Sequence, residues 1–463
     1  MIGTKPRGQE GGDVADLSFS AEEHRVFTKV SRRLLWFMLL LFMVNFVDRT
    51  NVGFAGLTMI KDIGITQTTF ALSFTCFSVA YFLFEIPSNL ILERVGARLW
   101  LARIALTWGI ASTLCMFIVG AWSLIGLRVA LAIAEAGFAP GSVLYMTYWF
   151  PQYYRARAHT KYFLAQPIAI ALGSIVSGAL LGLNGVMGLH GWQWLFLIEG
   201  LPSVIMGVAA FFYLTDRPKD AKWLSEAEKA TLIAALKRDA EERDRRSPPT
   251  ARGVTREILT KDFQIICFAY GCLIGNASAL GTWLPQIVRE LIQPGTSYWM
   301  IGLISAIPSI AAICTMPLWT RHADRSKERF WHCVLPMVFG AVGWAMAAGL
   351  TSPVLRLSGL VLANICTIAA WPVYFTLPSM VLPPKAHAAG IAYLNVVGIA
   401  GTAVTPLIMG IMRDWTGTFM ASMLSMGAVM ALGGAVMFLV PRRVMAGEAA
   451  QAAAPATAAA GGS

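Results

Sequence analysis

A helix needs about 20 consecutive apolar residues to cross the hydrocarbon core of a bilayer, and this chain offers twelve such runs. They lie at about 34–57, 70–92, 99–120, 122–149, 160–183 and 192–215, then at about 263–290, 298–320, 331–350, 354–381, 388–412 and 416–440. In lipid every backbone polar group must be paired inside the protein, so apolar runs of this length fold as spanning helices. The pattern predicts an all-α membrane protein with twelve transmembrane helices in two six-helix halves. Composition agrees: of 463 residues, 56% are hydrophobic and only 14% charged, a balance foreign to soluble chains of this size.

Some runs carry charge. The stretch L-R-V-A-L-A-I-A-E-A-G-F-A-P (Leu127–Pro140) places Arg128 and Glu135 inside the fourth run. Seven residues are two helical turns, so both project from nearly one face, about 10 Å apart along the axis. Asp48 and Arg49 stand in the first run, at heights between those two. A charge at this depth costs about 2.5–3.5 kcal/mol on insertion scales, so it faces a bundle interior or a wet cavity. The plainer alternative is an ion pair that merely locks two helices. Neighbouring residues point about 100° apart on a helix, so Asp48 and Arg49 cannot share one wall. One serves a partner helix and the other the lumen.

The expected inventory of the amino-terminal half is therefore two acids and two bases. Arginine stays charged and grips a carboxylate through its planar fork. An arriving anion that takes an arginine from its acid leaves that acid readier for a proton. That is a physical route to coupled entry. The carboxy-terminal half has no acid or base in mid-run. It offers Asn276, Trp283, Trp371, Tyr374, Phe375 and Asn395 instead, with packing or interfacial anchoring as the alternative for each aromatic. Glu290 and Asp414, at run ends, read as caps or packing groups. Glu85, one turn after Tyr81, is an extra acid whose plain reading is a pair with a loop base.

Loop charge sets the orientation. Of 37 Lys and Arg residues, Arg49 and Arg128 lie deep inside runs, Lys61, Arg289, Arg356 and Arg413 fall at or beyond run ends on one side, and the remaining 31 toward the side of the amino terminus. The positive-inside bias then puts both termini in the cytoplasm. The net charge of +11 is an orientation signal; membrane lipid is partner enough, and no nucleic acid is expected. Residues 1–30 read as a cytoplasmic tail, disordered to about Ser20, and 444–463 as a disordered tail. Between the halves 31–215 and 262–443, the segment 216–261 is a linker with its own short helix. Ser225 and Glu228 make its S-x-x-E capping box, Leu232, Ile233 and Leu236 an apolar stripe, and D-R-R-S-P-P its end. Seven cysteines lack metal spacing, and no nucleophile elbow or phosphate loop occurs. No cofactor, metal or enzymatic activity is expected.

Two loops half a chain apart are alike: L-E-R-V-G-A-R (Leu92–Arg98) after the second run and A-D-R-S-K-E-R (Ala323–Arg329) after the eighth. The first resembles the loop motif of the major facilitator superfamily, G-x-x-x-D-R-x-G-R/K. Asn89 stands for its Gly and Glu93 for its Asp, while Arg94, Gly96 and Arg98 match. The resemblance implies the major facilitator fold. It also makes Glu93, Arg94, Gly96, Arg98, Asp324 and Arg325 a gating motif. V-D-R-x-N (Val47–Asn51) and the L-R…E-A of the fourth run are similar to the anion:cation symporter family. Gly53–Asp62, Tyr145–Pro151 and Gly191–Val204 look like the 4-hydroxyphenylacetate permeases within it, and tartrate and sugar-acid carriers share several of these stretches.

By that resemblance Asp48 and Glu135 are proton-coupling residues and Arg49 and Arg128 bind substrate, with Tyr81, Gln166 and Asn395 matching further contacts. Asn276, Trp371 and Tyr374 complete the expected set. The expectation is a monomeric importer in the bacterial inner membrane that couples a small organic anion to protons by alternating access. An aromatic acid such as 4-hydroxyphenylacetate is favoured; a tartrate or sugar-acid symporter, an exchanger or a uniporter is the alternative.

Overall fold

Twelve helices cross the molecule in the order of the apolar runs in the computed structural model, which describes residues 19–246, 254–383 and 386–441. They are α1 (Trp36–Asp62), α2 (Gln67–Val95), α3 (Ala97–Leu114), α4 in two pieces (Ala121–Glu135 and Phe138–Thr147), α5 (Gln152–Leu181) and α6 (Gly191–Tyr213). The second half repeats the series: α7 (Lys261–Leu291), α8 (Tyr298–Ser326), α9 (Phe330–Gly349), α10 in two pieces (Pro353–Tyr374 and Leu377–Val381), α11 (His387–Thr416) and α12 (Phe419–Met437). Among the described residues eleven are long and apolar enough to cross a membrane, and α5 carries the apolar stretch Ala165–Leu181.

The break in α4 was not expected from its uninterrupted apolar run, whereas Pro372 and Pro378 punctuate the tenth run. In α4, Gly137 takes a φ of +87°, which a side chain resists, and a Cβ there would press on Ser88 of α2. Pro140 then sits in the first turn of the second piece, where a missing N–H costs nothing. In α10 the break falls at Phe375 and Thr376, and Pro378 starts the short second piece. Each break lies in the fourth helix of its half.

The expected amino-terminal tail is helical from Ala21. Ser20 and Glu23 form a full capping box, and Ala21–Val30 runs through a π turn at Ser31–Leu35 into α1, giving 42 continuous residues. The expected disorder of residues 1–18 and of the tail 444–463 lies outside the described residues. The linker helix spans Glu226–Arg246 and starts from the anticipated box, with Glu228 N donating to Ser225 Oγ at 3.2 Å. Its stripe divides: Leu232 is buried against the first half while Ile233 is 44% exposed. Lys29 holds Glu228 at 2.8 Å and Arg238 pairs with Glu23, so this helix is tied to the amino-terminal one. Ser247–Pro249 of the D-R-R-S-P-P stretch lie outside the described residues.

The halves meet on the face away from the termini. Gly178 of α5 lies against Gly302 of α8 so closely that a Cβ on Gly178 would stand 2.9 Å from the Cα of Gly302; small residues permit this approach of two backbones. Arg289 Nη1 donates to Leu57 O at 2.6 Å. Asp414 of α11 accepts from Gln67 N at 3.1 Å and Thr68 N at 2.7 Å, capping α2 from the other half. A carboxylate at a helix start satisfies orphan N–H groups and the helix dipole together. Toward the face that carries the termini the apolar cores part. One core holds residues of the first half, the amino-terminal helix and the linker, and none of the second half. The other joins the second half to the far ends of the first, through Phe54, Phe70 and Trp192. The molecule is shut on one face and open on the other.

Candidate functional site

Adjacent on α1, Asp48 and Arg49 turn opposite ways, as a helix requires. Asp48 is 4% exposed and points between α3 and α6. There it accepts from Trp108 Nε1 at 2.9 Å, Ser112 Oγ at 3.0 Å and Ser203 Oγ at 2.5 Å. Arg49 points to the lumen, where its Nε and Nη2 reach Glu135 Oε1 at 2.7 and 2.5 Å. Asn45, one turn earlier on the same face, donates to that oxygen at 2.8 Å. Glu135 closes the first piece of α4 and is 2% exposed. The Arg49 side chain keeps 37% exposure at mid-span depth, so its outer edge remains wet.

Arg128 has no such partner. It is buried, its Nε has no hydrogen-bond partner, and no carboxylate of the described residues lies within ion-pair reach. Its guanidinium rests over the rings of Phe77 and Phe74, at 4.3 and 4.7 Å, where cation–π attraction makes up part of the lost hydration. Arg49 lies 5.9 Å from the same Phe77 ring and 5.2 Å from Tyr81. Sharing one ring at 4.3 and 5.9 Å, the two guanidinium groups are at most about 10 Å apart. On α5, Gln166 Oε1 is another buried polar atom without a partner. Arg128 and Glu135 do not pair with each other; the ion pair that joins two helices is that of Arg49 on α1 with Glu135 on α4.

The second half contributes less than expected. Asn395 is exposed on α11, with its amide open. Asn276, by contrast, is fully buried, donating to Thr367 Oγ1 at 2.6 Å and accepting from Trp344 Nε1 at 2.5 Å. With both ends of its amide used inside the α7–α9–α10 core, it leaves the candidate site. Tyr374 leaves it too, buried with its hydroxyl donating to Met337 Sδ at 3.1 Å. Trp371 donates to Tyr270 Oη at 3.1 Å and lies 6.4 Å from Phe375, centre to centre. Trp283 packs between Phe70 and Phe419 and donates to Pro406 O.

At the two motif loops Glu93 and Arg94 are exposed. Gly96 has a φ of +102°, and a Cβ there would lie 2.8 Å from Asp216 Oδ1, which accepts from Arg98 N at 2.8 Å. Asp324 pairs with Arg329 of its own half at 2.8 Å, and Arg325 is exposed. Among the described residues neither loop ties one half to the other, in keeping with the open face. Among the described residues Glu85 forms no ion pair, and the base whose charge reaches it is Arg49.

Three groups were missed in the sequence. Asp216, read as the start of the linker, caps α3. Asn45 supports Glu135. Glu199 on α6 is a third buried acid, 3% exposed, which corrects the inventory of two. It stands about a third of the way into the sixth run, and the rule that found Glu135 finds it as well.

Comparison with known proteins matches residues 38–398 to the Major Facilitator Superfamily. A protein of Agrobacterium vitis named as a tartrate transporter is 42% identical over 422 residues, 91% of this chain and 95% of that one. A quinolone resistance transporter of Acinetobacter baumannii is 36% identical over 413 residues, 89% and 94% of the two chains. Among solved structures, a bacterial homologue of the human lysosomal transporter Spinster, inward-facing and occupied, superposes with a TM-score of 0.72 over 88% of this chain and 96% of that one, at 17% identity. With its twelve-helix fold and these relatives, the chain belongs to the Major Facilitator Superfamily and is a multi-pass membrane transporter.

Proposed function

We propose that the protein is a proton-coupled importer of a small hydroxylated dicarboxylate of the tartrate kind. The observation that carries this reading is the contrast between the arginines: Arg128 is buried without a carboxylate, while Arg49, at most about 10 Å away, is held by Glu135. A dianion fits that contrast. One carboxylate takes the vacant fork of Arg128, and the other competes with Glu135 for Arg49. Glu135, once displaced, takes up a proton, and Gln166, Asn395 and Tyr81 are left to read hydroxyl groups. An aromatic monoacid would use only one fork. The relatives' names also favour the tartrate alternative over the aromatic acid expected at first.

In this reading both termini face the cytoplasm of a bacterial inner membrane, the state described is inward-facing, and the monomer rocks its halves 31–215 and 262–443 around the site. Asp48 is the second proton-coupling acid. The motif loops, with Glu93, Arg94 and Arg98 in one and Asp324 and Arg325 in the other, latch the inner face when it closes. Uptake into proteoliposomes tests the proposal. An inward proton gradient should drive accumulation of tartrate, with 4-hydroxyphenylacetate competing poorly. Uptake indifferent to the gradient, or preference for the aromatic acid, would overturn it.

A further inference from the structure

Behind Asp48, on the side away from Arg49, stands a second carboxylate. Glu199 of α6 is 3% exposed, against 4% for Asp48, and the two acids act on one another. Their surroundings differ. Asp48 accepts from Trp108, Ser112 and Ser203 at 2.5–3.0 Å, with Asn51 Nδ2 at 3.5 Å. Glu199 accepts from Ser177 Oγ at 2.8 Å; its Oε2 has no partner within hydrogen-bond distance, and the Asn51 amide is the one other donor that acts on it. The helices packed on α6 bring no base to it among the described side chains: α1 brings Asp48 and Asn51, α3 lies on it with Ser112 and Thr113, and α5 offers Ser177. Arg49 is engaged with Glu135 on the lumen side.

An ionised carboxylate buried in a membrane protein needs a base or several donors. Asp48 has the donors; Glu199 has one hydroxyl and an acid beside it. When two neighbouring acids lie in such unequal surroundings, one keeps the charge and the other the proton. We propose that Glu199 is a proton-binding site of this transporter, occupied in the state described, and that it shares its proton with Asp48 behind the substrate site. Neutralising Asp48 removes the charge that forbids Glu199 to ionise, so the pair passes a single proton between its members. The protonation stands apart from the symport reading; its part in coupling rests on that reading.

Infrared spectroscopy of the substrate-free protein at neutral pH reads the proton directly. The wild type should show the carbonyl stretch of a protonated carboxylic acid. Glu199→Gln should lose it while Glu135→Gln keeps it, and in Asp48→Asn, where the neighbouring charge is gone, the band should disappear at a lower pH than in the wild type. Ser177→Ala, which removes the one hydroxyl donor, should shift the band to higher frequency and serves if Glu199→Gln folds poorly. No such band in the wild type, or a band unchanged in both Glu199→Gln and Ser177→Ala, would overturn the proposal. In proteoliposomes Glu199→Gln should still accumulate anion, with the pH of half-maximal uptake displaced from the wild type. A lost band with an unmoved pH profile would confine Glu199 to a structural acid and overturn its part in coupling.

Discussion

Replacing Glu135 by Gln removes a charge and almost no volume. In the wild type, Glu135 Oε1 receives Arg49 Nε at 2.7 Å, Arg49 Nη2 at 2.5 Å and Asn45 Nδ2 at 2.8 Å. An incoming anion must break the charged part of that arrangement to reach Arg49. Hydrogen bonds to a charged group contribute about 1.5–3 kcal/mol net, and the 37% exposure of the Arg49 side chain argues for the lower end through solvent screening. About 1.5–2 kcal/mol is roughly 10- to 30-fold in affinity. Glu135→Gln should therefore bind anion roughly 10- to 30-fold more tightly than wild type at alkaline pH. The wild type should approach the same affinity as the pH falls and Glu135 is protonated, while the variant stays flat. Calorimetry on purified protein across that pH range measures both curves. In proteoliposomes the variant should keep counterflow, because its loaded form still crosses, and lose pH-driven accumulation, because no proton leaves. Parallel affinity curves for variant and wild type, or full pH-driven accumulation by the variant, would refute the competition between Glu135 and substrate.

Arg128→Lys keeps the charge but loses the fork, so affinity should fall at least about tenfold in a calorimetric titration, with melting temperature unchanged or raised because no ion pair is broken. Asn276→Ala should do the reverse. It strands Trp344 Nε1 and Thr367, so stability in a thermal-shift assay should drop by about 1–3 kcal/mol while affinity stays near wild type. Asp414→Asn weakens the cap on α2 by about 0.5–2 kcal/mol and loosens the closed face. A cysteine at the exposed Gly281 of α7 should then be labelled faster from outside by an impermeant thiol reagent.

Apolar length was enough to read the twelve helices, because no other feature of a chain competes with it in lipid. The opposite directions of Asp48 and Arg49 were legible for an equally simple reason, the 100° step between neighbours. Facing was harder. Asn276 and Tyr374 look like lumen residues in a run, but which side of α7 or α10 is inner depends on packing partners far away in sequence. The break of α4 at Ala136 and Gly137 had a local signal in Gly137 and Pro140 that the continuous hydrophobicity concealed. Residues 20–23 hold the same S-x-x-E box that marked the linker helix, so the helix from Ala21 was readable and was passed over. Glu199 was hidden by company: it lay inside a stretch taken as a family mark, so its charge went uncounted. Asp216 had no signal at all, since its role is to cap a helix more than a hundred residues away.

The central claim is that anion binding displaces Glu135 from Arg49 and so draws in a proton. Proton uptake on binding measures this directly, by a pH-indicating dye in weakly buffered solution of the purified transporter near neutral pH. Adding tartrate should turn the solution alkaline by up to one proton per bound anion, and Glu135→Gln should abolish the change while still binding. Binding without proton uptake in the wild type, or the same uptake in Glu135→Gln, would contradict the account.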